Sequence, residues 1–161
     1  MKKVIDMMQK IQIAIGGFFL MIFLLTVVFQ MLSRYAGIAA TWTEDVSMYS
    51  FIWAVFMGAA AMVYENRHFA FTSISDMMKN ENAKSIVAII IYAIMFVFAV
   101  LMVYYGYKVT KQFWNYTWTN IPSFKRGPTW MCLPLCGLTS CIYLVQLTID
   151  EIVKITKGGN K

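Results

Sequence analysis

RYAGIAATWTEDVSMYSFIWAVFMGAAAMVYENRH, from Arg34 to His68, is the stretch that decides the fold. A short polar turn carries Arg34, Glu44 and Asp45. A run without charge then extends from Val46 to Tyr64, and charges return at Glu65, Arg67 and His68. Thr41-Trp42-Thr43-Glu44 has the form of a capping box, in which Thr41 accepts from the Glu44 amide and Glu44 reaches back to Thr41. Acids in a first turn suit the positive end of a helix dipole. The pattern therefore predicts a helix over 42–64, and about 20 apolar residues suffice to cross ~30 Å of hydrocarbon. Ser50, Ala54 and Gly58 recur every four residues on one face of it. Small residues at that spacing let another helix approach closely, either from this chain or from a partner.

Three more apolar windows flank this one, giving spans at 11–33, 42–64, 85–107 and 128–149. Sixty per cent of the chain is apolar and 14% is charged. Runs of this length are too long for strands and too continuous for amphipathic surface helices. The expected fold is an all-α integral membrane protein, one four-span domain over 1–161. A cleaved signal peptide is the competing reading of the first window, but that window is about twice the usual apolar core and no small-x-small cleavage site directly follows it. Between the second and third spans, Phe69, Phe71, Ile74, Met77 and Met78 alternate with polar residues, which predicts a short helix lying in the membrane interface. Trp42, Trp114, Trp118 and Trp130 read as interfacial anchors toward membrane lipids. Pro128 suits a helix start, and Pro134 should kink or unwind the helix locally.

The net charge of +6 is a matter of loops rather than of nucleic acid. Four spans put both termini and the middle loop on one side. That side holds nine of the fourteen lysines and arginines; Arg34, Lys108, Lys111, Lys125 and Arg126 lie on the other. The bias predicts cytoplasmic termini. No Asp, Glu, Lys, Arg or His falls inside the four charge-free runs, whereas transport of a charged solute needs ionisable groups or broken helices near mid-membrane. His68 is the lone histidine and lies in a loop. Cys132, Cys136 and Cys141 read as small core residues, because a metal would want more thiolates or histidines. No catalytic, cofactor-binding or metal-binding residue is expected. The residues point to a non-catalytic membrane protein that packs against a larger partner. A self-sufficient small homo-oligomeric transporter or channel, or an assembly factor for a membrane enzyme, are the alternatives.

Ordered landmarks run through the chain: Arg34-Tyr35, Trp42-Thr43-Glu44-Asp45, Phe51-Ile52-Trp53, Gly58-Ala59-Ala60, His68, and Trp130 with Pro134 and Gly137. In them the chain resembles the DctQ-like small membrane subunit of tripartite ATP-independent periplasmic (TRAP) transporters. It departs at Phe69-Ala70-Phe71-Thr72, where such subunits usually carry a basic or aliphatic residue and then an acid. The resemblance implies a bacterial inner-membrane scaffold beside a large, DctM-like elevator subunit driven by sodium. A periplasmic substrate-binding protein would deliver a carboxylate such as a C4-dicarboxylate or sialic acid. Arg34 then has two readings. It forms a local ion pair with Glu44 and Asp45, or it helps dock the binding protein together with Lys125 and Arg126.

Overall fold

The computed structural model describes residues 2–65 and 81–158. Its elements are α1 (Lys2–Tyr35), α2 (Trp42–Tyr64), α3 (Glu81–Gln112), a single turn α4 (Gly127–Trp130) and α5 (Cys132–Gly158). Four stretches are long and apolar enough to cross a membrane: Lys2–Tyr35, Trp42–Tyr64, Lys84–Gln112 and Gly127–Thr156. The expected interfacial helix of the middle loop, with His68, lies outside the described residues.

The second span keeps its expected limits, and the others run on. α1 starts nine residues before the first window, and α3 continues to Gln112. At ~1.5 Å per residue, helices of 34 and 32 residues stand well clear of a ~30 Å apolar layer. α1 ends in a left-handed turn at Gly37 (φ 71°). There the Gly37 amide donates to Arg34 and the Ile38 amide to Ser33, satisfying carbonyls that the helix end would leave open.

The capping box at the start of α2 does not form. Thr41 has helical φ and ψ and makes no side-chain cap bond, whereas a side-chain cap needs an extended residue at that position. The Glu44 amide donates instead to the main-chain carbonyl of Thr41. The working threonine is Thr43, fully buried, whose hydroxyl donates to Ala40 at 2.6 Å.

The helices form a row, α1 on α2, α2 on α5, and α5 on α3. The α1–α2 pair is antiparallel, with aromatic contacts in order along it: Phe19 on Trp53, Phe23 on Phe51, Phe29 on Trp42. Gly16 lies where an added Cβ would meet the Ala54 carbonyl and the Gly58 amide at 3.4 Å. The α3–α5 pair approaches still more closely, at Gly106 against Leu133 and Pro134, and at Gly137 against Ala99 and Val103. The last span breaks at Met131. Pro134 has no amide to give the Trp130 carbonyl, and its ring crowds that carbonyl. Near the chain termini all four long helices meet in a cluster of Ile5, Val63, Tyr92, Ala99, Tyr143 and Leu144.

Candidate functional site

Two features of this row bear on function: a folded cap at one end, and polar ties through the apolar layer. The cap is built on residues 116–126. Pro122 sits second in a turn closed by the Phe124 amide donating to Ile121, as proline's fixed φ favours. The Trp118 amide donates to Phe124, the Arg126 amide to Tyr116, and Thr117 pairs antiparallel with Lys125. The result is a small hairpin folded onto the start of α2. Trp118 lies between Tyr49, at 4.6 Å, and Phe124, at 5.2 Å, and its indole N–H donates to Thr129. Trp118 is therefore packed into protein and hydrogen-bonded there. Trp130 is half-buried against Phe113, while Trp42 and Trp114 are each more than two-fifths exposed.

The charged residues of this end separate into three kinds. Asp45 is 4% exposed, and its Oδ2 accepts from the main-chain amide of Asn120 at 2.6 Å. Arg126 is half-buried, with Nη2 donating to Thr119. Arg34, Glu44 and Lys125 are exposed. The expected ion pair of Arg34 with Glu44 and Asp45 is absent among the described contacts. Asp45 is turned inward to the hairpin, and Arg34 lies one loop away on the end of α1, beside Met31 and Tyr35. Asp45 is therefore internal to the protein.

The polar ties were only half visible in sequence. Gln12 stands out as a polar residue in the first window, but its partners come from more than 120 positions away. Its amide donates to Thr139, and its carbonyl accepts from the Tyr143 hydroxyl, both at 2.7 Å. Tyr143 is fully buried, and its ring lies 5.2 Å from Tyr64, whose hydroxyl donates to Asp6. Gln9 donates to the Ala61 carbonyl and to Glu65. In lipid, where apolar burial no longer drives association, such hydrogen bonds add to close packing in holding helices together. Cys132 and Cys136 are buried and, like Cys141, unbridged. Among the described residues no three His, Cys, Asp or Glu side chains are grouped to hold a metal.

What the row leaves open is as informative as what it closes. At most 17% of the most apolar window of α1 and 11% of that of α3 is buried, against 39% for the last span. Phe18, Leu25 and Leu32 on α1, and Ile94, Val97 and Phe98 on α3, are each about three-fifths exposed. The family model for tripartite ATP-independent periplasmic transporters, DctQ component, matches residues 23–153. No curated protein matches the chain.

Proposed function

We propose a bracing role for this protein, because the chain belongs to the DctQ component family of the tripartite ATP-independent periplasmic transporters, as a small membrane subunit. On this reading it is a non-catalytic scaffold in the bacterial inner membrane, with both termini in the cytoplasm. It packs against the large, DctM-like elevator subunit and helps dock the periplasmic binding protein. The cargo is a carboxylate, of the C4-dicarboxylate or sialic acid kind, moved with sodium.

The observation that carries the reading is the pair of open edges. α1 and α3 end the row with apolar faces uncovered, while Gln12, Thr139 and Tyr143 are hydrogen-bonded to one another between helices. A scaffold needs surfaces of that sort. A solute path needs polar groups facing a cavity. Arg34 and Lys125, exposed at the end opposite the termini, supply positive charge for docking.

Reconstitution tests this. Proteoliposomes with the large subunit, the binding protein and this chain are expected to accumulate substrate, and omission of this chain to abolish uptake. The chain alone is expected to bind no substrate and carry no flux. Flux through the isolated chain would establish the homo-oligomeric transporter in its place. Reversing both Arg34 and Lys125 to Glu should weaken binding-protein docking without lowering the amount of assembled complex. Raised salt should shrink that difference, since exposed charges are screened beyond ~8–10 Å at physiological ionic strength.

A further inference from the structure

We propose that Asp45 is a positioning residue, whose buried carboxylate latches the 116–126 hairpin to α2 and so fixes Lys125 for docking of the periplasmic binding protein. The inference rests on the docking reading above and deepens it.

A carboxylate taken out of water is costly unless it is paired or hydrogen-bonded. Asp45 is almost fully buried, and it forms no ion pair among the described residues. Two things hold it. It lies in the first turn of α2, where the helix dipole favours negative charge. It also accepts a short hydrogen bond from the Asn120 amide, a charge-assisted contact and hence a strong one. Asn120 lies in the loop of the hairpin, just before the turn at Ile121–Phe124. The bond therefore ties the hairpin's tip to a membrane-spanning helix across 75 positions of sequence.

The rest of the hairpin is arranged around that tie. Trp118 fills the space beside it, between Tyr49 and Phe124. Arg126 is turned inward to Thr119. Of the hairpin's two cations, Lys125 alone is exposed, and it stands in register with Thr117 on the opposite arm. A docking charge on a loop that is already ordered loses less conformational freedom when the partner binds. The partner surface this fits is acidic, meeting Lys125 and Arg34.

The test uses the assembled complex of this chain with the large subunit, in lipid nanodiscs. Hydrogen exchange at 117–125 and the affinity for the purified binding protein are measured for wild type, Asp45→Ala, Asp45→Asn and Lys125→Glu. With Asp45→Ala, exchange across 117–125 is expected to rise by about tenfold or more, and affinity to fall by a comparable factor. Asp45→Asn keeps the shape and one acceptor oxygen but not the charge. It is expected to lie between the two, and it alone decides for or against the latch if Asp45→Ala does not assemble. Unchanged exchange in the Asp45 variants overturns the latch. Faster exchange with undiminished docking, while Lys125→Glu does weaken docking, overturns the positioning role. If Lys125→Glu docks like wild type, the docking reading fails and this inference falls with it.

Discussion

Gly17, Gly16 and Gly137 differ in what a single methyl group would meet. At Gly17 an added Cβ finds nothing within 4 Å. At Gly16 it comes to 3.4 Å from backbone atoms of α2, the tight side of ordinary contact. At Gly137 it comes to 2.7 Å from Val103 and 2.9 Å from backbone atoms of α3, which cannot swing aside. Alanine substitutions should therefore rank in that order. Gly17→Ala is expected to raise the temperature of thermal unfolding in detergent slightly, by alanine's preference for the helix, and Gly16→Ala to raise it less. Gly137→Ala is expected to cost about 1–3 kcal/mol, the usual range for overpacking. The sequence marks these residues unequally. The spacing of Ser50, Ala54 and Gly58 points to a face made for close approach, and the structure brings Gly16 against Ala54 and Gly58. The tightness at Gly137 depends on Val103 lying opposite, which no local pattern records. Thr41 misled for a similar reason: a capping motif says which side chains are able to cap, while backbone dihedrals decide whether they do.

At the scale of elements, the existence of four spanning helices was legible because charge-free runs of such length have few other solutions in water or lipid. Their ends were less legible. Lys10, Lys108 and Lys111 mark where apolar residues stop, but a helix continues past that point wherever its backbone bonds and tertiary contacts continue. The 116–126 hairpin was hidden by its aromatics, which read as an interfacial belt. Asp45 and Trp118 hold it as a folded cap, through contacts that no local pattern records. The tie between α1 and α5 was hidden as well, since it depends on Gln12 meeting Thr139 and Tyr143. That tie makes a prediction. Tyr143→Phe removes the donor to Gln12 Oε1 and leaves a buried acceptor open, at a cost of about 1 kcal/mol or somewhat more. Gln12→Leu in the same background is expected to add less than it does alone. A double-mutant cycle on thermal unfolding measures the difference, and strict additivity would mean that the hydrogen bond holds nothing together.

At the scale of the molecule, the fold places Arg34, Lys108, Lys111, Lys125 and Arg126 around one end and the chain termini at the other. Counted along the sequence, nine of the fourteen basic residues belong to the terminal segments and the middle loop. Lysine and arginine resist translocation, and the proposed cytoplasmic side of the termini rests on that bias. The docking proposal depends on this orientation, because a binding protein in the periplasm meets the hairpin only if the hairpin faces outward. The native cysteines make the orientation readable: Cys132 and Cys136 are buried, and Cys141 is half-buried within the last span. Ser123, in the exposed turn of the hairpin, and Lys154, exposed near the end of α5, are sites for added thiols. In intact spheroplasts a membrane-impermeant maleimide is expected to label Ser123→Cys and to leave Lys154→Cys unlabelled until the membrane is permeabilised. The parent chain supplies the background, expected to be low in both conditions. The reverse pattern would put Arg34 and Lys125 in the cytoplasm, out of reach of any periplasmic partner, while leaving membership of the family and the bracing of α1 and α3 untouched.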